Sequence, residues 1–152
     1  MSEIQIDNFA LPSTDGTSFT FSEQRGKNVV VYFYPKDDTS GCTIEGQEFT
    51  ALYDYFKRAN AVVVGVSRDD MQSHDKFKTK FGFPFELLTD TDEKVCEQFG
   101  VMKLKNMYGK QVRGVERSTF VFNTQGQLAK AWRGLKAPGH AEEVLAFVQT
   151  LK

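Results

Sequence analysis

Apolar residues fall along the chain in two kinds of run. Asn28-Val29-Val30-Val31-Tyr32-Phe33-Tyr34 is an unbroken β-branched and aromatic stretch stopped by Pro35, and Ala61-Val62-Val63-Val64-Gly65-Val66-Ser67 is a second. Continuous runs of this kind mark strands covered on both faces, where no polar alternation is needed. Between them, Phe49, Leu52, Tyr53 and Phe56 fall at i, i+3, i+4 and i+7, the stripe of one amphipathic helix, with Glu48, Asp54, Lys57 and Arg58 off it. Strand, helix and strand predict a right-handed crossover between parallel strands.

Further along, Asp69-Asp70 can cap a helix whose apolar face is His74, Phe77 and Phe81, ending before Gly82 and Pro84. Phe85-Glu86-Leu87-Leu88 reads as a short strand. Thr91-Asp92-Glu93 opens a short helix with Val95 and Phe99 as i, i+4 partners, closed by Gly100. Lys103 to Gly114 is polar, has no clean period and is expected to be a mobile loop. Ser118–Phe122 and Leu128–Trp132 flank the turn-rich Asn123-Thr124-Gln125-Gly126-Gln127 and should pair as a hairpin. A last helix follows Pro138-Gly139 with Val144, Leu145, Phe147, Val148 and Leu151 inward, and Thr17–Phe21 alternates well enough to add a strand near the start. The sum is an α/β fold, a central mixed sheet flanked by helices on both faces.

Composition narrows the function more than the fold. The 152 residues fit one domain, 1–152, with no repeats or linkers. Nineteen basic against 20 acidic side chains leave no electrostatic footprint for nucleic acid or an anionic membrane. No apolar stretch approaches the roughly 18 residues of a membrane span, and Met1–Asp7 has no basic region followed by an apolar core, so a cytoplasmic protein is expected. Cys42 and Cys96, the two cysteines, do not make a disulfide framework in a chain of this length. His74 and His140 are too few and too scattered to suggest a metal, and no cofactor is expected.

Cys42 stands in Pro35-Lys36-Asp37-Asp38-Thr39-Ser40-Gly41-Cys42, after a central strand and within the first turn of the next helix. Free amide groups and the helix dipole favour an anion there, and a thiolate is a nucleophile. Peroxide reduction needs such a sulfur, donors for both peroxide oxygens, and stabilisation of the departing oxyanion. The Thr39 hydroxyl can donate to one oxygen. Arg117 is the candidate cation, because an ionic group beside the buried run Ser118–Phe122 needs a purpose, and its guanidinium fork can reach sulfur and peroxide together. Pro35 lacks an N–H and fixes φ, so it can end the strand and shield the sulfur from water.

Taken singly, these residues have plainer readings: Thr39 as a helix cap, Arg117 as a snorkelling surface residue, Glu45 as a favourable first-turn charge, His74 and His140 as helix-face and helix-start residues. The array carries the inference. Pro35, Thr39 and Cys42 reproduce the Pro-x-x-x-Thr-x-x-Cys pattern of peroxiredoxins, and Arg117 before Phe120-Val121-Phe122 resembles their active-site arginine. Phe33–Asp37, Gly41-Cys42-Thr43, Val95–Val101 and Pro138–Leu145 resemble the Q-type branch, the bacterioferritin comigratory proteins. That resemblance implies a thioredoxin-like fold, which the element order matches. It further implies reduction of hydrogen peroxide and organic hydroperoxides through a sulfenic acid, and a glutamate, Glu45, that holds the arginine.

The chain departs from that branch at the resolving cysteine. Position 47 is Gln47, and Met71–Phe81 has no cysteine. Cys96 remains, either as an inert buried thiol or as a resolving partner, and a disulfide needs Cα atoms within about 7 Å. If Cys96 is structural, Cys42 works alone and its sulfenic acid awaits thioredoxin, a glutaredoxin or glutathione. The chain lacks a carboxyl-terminal resolving-cysteine arm, and a monomer is expected. Two other classes share the scaffold. A disulfide oxidoreductase wants Cys-x-x-Cys, whereas Glu45 stands three residues after Cys42, and a redox sensor or chaperone would lack turnover.

Overall fold

The computed structural model describes Ile6 and residues 8–151. The first apolar run is β3 (Asn28–Phe33), preceded by a small hairpin of β1 (Ala10–Pro12) and β2 (Ser18–Thr20) and a 3-10 turn at Phe21–Gln24. All six residues of β3 are buried. The strand lies at the middle of a five-stranded sheet, order β5-β4-β3-β8-β9, built with β4 (Ala61–Ser67), β5 (Glu86–Thr89), β8 (Ser118–Phe122) and β9 (Leu128–Arg133). Its residues alternate between two cores: Val29, Val31 and Phe33 enter one, Val30 and Tyr32 the other. Two covered faces are why the run carries no polar alternation.

β4 is parallel to β3 and β5 parallel to β4, while β8 is antiparallel to β3 and β9 to β8. The mixed sheet and the Ser118–Phe122 hairpin are as the sequence predicts. One core is closed by α1 (Ser40–Ala51), α2 (Tyr53–Arg58), α3 (Met71–Phe81) and α5 (His140–Val148) through Phe49, Phe56, Phe77, Val144 and Val148; the other by α4 (Lys94–Gln98) and the amino-terminal residues Phe9 and Phe21. Tyr32 stacks on Phe49 at 4.7 Å and Phe33 meets Phe99 at 4.8 Å, so each face has its own aromatic seam. The cap predicted for α3 is present, with Asp70 Oδ1 accepting from the Ser73 amide at 2.9 Å and Gly82 taking the left-handed φ of 66° that ends the helix.

Two expectations are corrected. The single helix carrying Phe49 to Phe56 is two, broken at Leu52 (φ −102°, ψ 3°), where Tyr55 N donates to Leu52 O at 3.0 Å. The apolar stripe runs on through the break because both pieces face one core, so spacing alone could not register it. The mobile loop at Lys103–Gly114 is a two-stranded hairpin of β6 (Met102–Met107) and β7 (Lys110–Val115), with Met107 opposite Lys110. Its turn residues Tyr108 and Gly109 both have positive φ, 52° and 78°, as a two-residue turn that matches strand twist requires. Leu104 and Val112 are exposed, so no core stamped an alternating pattern on these strands. The strand expected near the start is present as β2, paired with β1.

Candidate active site

The register of the sheet explains how residues 75 positions apart meet. β8 runs antiparallel to β3 with Ser118 opposite Phe33, so Arg117 arrives where the chain leaves β3 for α1. Tyr34 makes a last sheet bond, its N–H donating to Val66 O at 3.0 Å. Pro35 has no N–H to continue the ladder and sits half-buried at the turn. α1 begins at Ser40, and Cys42, its third residue, is 1% exposed. No carboxylate lies in the first turn and Thr39 makes no side-chain cap bond, so the start of α1 carries no built-in anion.

Arg117 adds positive charge to that site from outside the helix. Nη2 donates to Cys42 Sγ at 3.5 Å while Nη1 donates to Glu45 Oε1 at 2.7 Å. One guanidinium thus bridges thiol and carboxylate, which Lys could not do with a single nitrogen. Burial works against the charge on Arg117, yet Glu45 and Cys42 outweigh it and hold its pKa above the ordinary value. Glu45 is fully buried, and burial pushes its carboxyl up to about 7, against the pull of Arg117. These two effects oppose each other within one ion pair. Burial prevails because Oε2 has no hydrogen-bond partner, and a bare carboxylate oxygen out of water is costlier than a protonated one. The backbone makes room for the fork: a Cβ on Gly41 would lie 2.8 Å from Arg117 Nη2.

Thr39 is exposed, with its hydroxyl donating to Lys36 O at 2.8 Å. It is the residue preceding α1 but not a side-chain cap; to donate to a peroxide it must turn from Lys36, whereas its lone pairs are free now. Tyr34 and half-buried Trp132 lie on the Cys42 side of the sheet, whereas Phe33 is in the opposite core. Cys96 is in that opposite core too, fully buried. Its pKa is pushed well up by burial first and by Asp90 second, whose carboxylate also accepts the amides of Val95 and Cys96 at 3.2 and 2.7 Å. Gln47 is an exposed residue of α1.

Gly41 and Asp37, which the sequence shows only as members of the motif, also bear on the site. The residue before Cys42 invited the question of why it has no side chain; nothing in spacing foretold Asp37, whose partners come from α3. His74 lies on the buried face of α3 and His140 begins α5, as expected, and both are also bonded, His140 Nε2 lying 2.9 Å from Thr119 Oγ1.

Comparisons with known proteins show the family. A family model, the AhpC/TSA family, matches residues 4–131. Peroxiredoxin Bcp of Xanthomonas campestris is 51% identical over 149 residues, covering 97% of this chain and 93% of that protein. Peroxiredoxin Bcp of Bacillus subtilis is 44% identical over 142 residues, 93% of this chain and 88% of its own length. Among solved structures, the Xanthomonas campestris bacterioferritin comigratory protein, described for its alkyl peroxide reduction activity, superposes with a TM-score of 0.89 at 49% identity, covering 93% of this chain and 90% of that one. A cysteine-to-serine mutant of Xylella fastidiosa PrxQ reaches a TM-score of 0.91 at 42% identity over 99% and 98% of the two chains. A thioredoxin-like fold, a helix-borne cysteine under an arginine and this degree of identity converge: the chain belongs to the AhpC/TSA family, as a Q-type (Bcp) peroxiredoxin and hence a thiol-dependent peroxidase.

Proposed function

We propose that Cys42 is the peroxidatic nucleophile and the only cysteine in the cycle. The observation that carries the reading is the double contact of Arg117, 3.5 Å from the sulfur and 2.7 Å from Glu45. The Cys42 thiolate attacks one oxygen of ROOH; an S–O bond forms, the O–O bond breaks, and the departing RO⁻ takes up a proton as ROH. Sulfur is oxidised to the sulfenic acid and the peroxide is reduced. Arg117 spreads its donors over sulfur and the developing charge, Thr39 orients the peroxide, Pro35 limits water, and Glu45 positions Arg117. The substrates are hydrogen peroxide and organic hydroperoxides, the latter favoured by the reported activity of the Xanthomonas relative and by apolar Tyr34 and Trp132 on the same face.

Cys42 and Cys96 lie in cores on opposite sides of the sheet, which supports a one-cysteine cycle. An external thiol, from thioredoxin, a glutaredoxin or glutathione, condenses with the sulfenic acid, releasing water and leaving a mixed disulfide that a second thiol reduces. We take the enzyme to be a single domain working as a cytoplasmic monomer, in which no helix of the described residues is long and apolar enough to cross a membrane. Steady-state peroxide consumption with thioredoxin against glutathione and glutaredoxin tests this, with mass spectrometry of the oxidised protein. A Cys42–Cys96 disulfide as the main product would end the one-cysteine reading; sulfenic or, at high peroxide, sulfinic acid on Cys42 supports it.

A further inference from the structure

Midway between Pro35 and Thr39, the loop that carries the site turns inward. Asp37 is 7% exposed, while the next residue, Asp38, holds a left-handed φ of 61° that a non-glycine side chain seldom takes. A loop in that conformation is held by its contacts, and Asp37 supplies them. Oδ1 accepts from the Tyr34 hydroxyl at 2.6 Å; Oδ2 accepts from Ser73 Oγ at 2.8 Å and faces His74 Nδ1 at 2.6 Å. The Asp37 amide donates to Asp69 Oδ2 at 2.9 Å, and the Ser67 hydroxyl donates to the same oxygen at 2.6 Å. The other His74 nitrogen, Nε2, lies 2.9 Å from Leu88 O. Both ring nitrogens therefore face oxygens, one of a carboxylate and one of a carbonyl. Asp37, Asp69 and His74 converge to within 4.8 Å; Nδ1 of the ring meets Asp37 there, while Asp69 is met by the Asp37 amide and the Ser67 hydroxyl.

This network joins the β3–α1 loop to α3 and to the ends of β4 and β5. The other tie across the same gap, Lys80 to Asp38 at 2.8 Å, is half-exposed at both ends and holds little. Cys42 meanwhile is 1% exposed, so a small peroxide can reach its sulfur through slight motions but the thiol of another protein cannot. Peroxide attack belongs to the closed loop, and reduction by a protein thiol to an opened one.

We propose that His74 is a positioning residue of the peroxidase, whose Nδ1 bond to Asp37 latches the Pro35–Thr39 loop and the first turn of α1 closed over Cys42. The inference rests on the reading of Cys42 as the peroxidatic residue. The latch sets how the enzyme divides its time between the state that meets peroxide and the state that meets the reductant.

Two variants separate the latch from mere packing. The amide nitrogen of His74→Asn falls near the place of Nδ1 and keeps the bond to Asp37; that of His74→Gln falls near Nε2 and keeps only the bond to Leu88 O. Hydrogen exchange of residues 35–46 in the reduced protein reads the latch without any turnover. His74→Gln should exchange there roughly tenfold faster or more than wild type, with the rest of the sheet unchanged, and should lose about tenfold in kcat/KM for peroxide while the limiting rate with a protein reductant holds or rises. His74→Asn should stay within about threefold of wild type in both. Should His74→Gln not fold, Ser73→Ala, which removes another donor to the same Asp37 oxygen, should show the same local signature at smaller size. Equal exchange in both His74 variants, or acceleration spread evenly over the whole chain, overturns the latch. Peroxide turnover surviving Cys42→Ser would instead overturn the reading of Cys42 and leave the exchange result standing by itself.

Discussion

Cys42 and Cys96 occupy the same position in two helices and nearly opposite surroundings. Each is the third residue of its helix, at α1 and α4, and each is all but inaccessible. At α4 the amides that a helix start offers are taken by the Asp90 carboxylate, 2.7 Å from the Cys96 N–H, and a second negative charge on the thiol would face that carboxylate in an apolar core. At α1 no side chain caps the turn, and the charged neighbour is the Arg117 guanidinium at 3.5 Å. A helix amino-terminus and burial are therefore not enough to make a cysteine reactive. What decides is whether the local field already holds an anion or waits for one.

Substitution of the two thiols is the sharpest way to break that comparison. Cys42→Ser should lower peroxide turnover by at least about 10³-fold, whereas Cys96→Ser should stay within about threefold of wild type with any reductant. A large loss in Cys96→Ser at unchanged stability would make the two cysteines partners after all. Arg117→Met should cost about 10²- to 10³-fold in kcat/KM for peroxide, and Arg117→Lys should recover only part, since one ammonium cannot reach Glu45 and Cys42 as the fork does.

Gly41→Ala tests the same contact from the backbone side. A Cβ 2.8 Å from Nη2 must push the guanidinium away, and turnover should fall about tenfold or more with little change in melting temperature. Glu45 gives a pH signature. Its carboxyl is raised from 4.5 to about 7 in the fold, so its contribution to stability is fully present below pH 4.5 and is lost as pH rises through about 7. Urea midpoints across that window should fall by the equivalent of on the order of 2–3 kcal/mol in wild type, and Glu45→Gln should flatten the slope while slowing turnover by only about three- to tenfold. Asp90→Asn should leave turnover within about twofold and speed Cys96 alkylation only slightly, because burial is the first cause of its inertness and the carboxylate the second.

The elements that pack on both sides were easy to read from the chain. β3 and β4 appear as unbroken runs, α3 has Asp70 and Gly82 at its ends, and β8 and β9 bracket an obvious turn. The hairpin of β6 and β7 was not legible, since it touches no core along most of its length and its turn, Tyr108-Gly109, lacks the usual Asn or Asp. The candidate site was legible as a list, Pro35, Thr39, Cys42 and Arg117, because nucleophilic chemistry restricts which residue types can serve. Its supports were not. Phe33 looked like a neighbour of Tyr34 and points to the other face by the two-residue period of a strand, while Asp37 looked like one more polar loop residue and is the anchor of that loop.

The sequence alone carries the class of the fold and names Cys42 and its donors as candidates, since apolar period and side-chain chemistry are local properties written in order along the chain. Only the tertiary structure decided which groups meet. The antiparallel pairing of β3 with β8 brings Arg117 to Cys42 across 75 residues, the packing of α4 on the other face of the sheet puts Cys96 in the far core, and the packing of α3 sets His74 against Asp37. Contacts between distant segments depend on strand register and on which face each side chain takes. A shift of one residue would reverse both, and no local pattern records it.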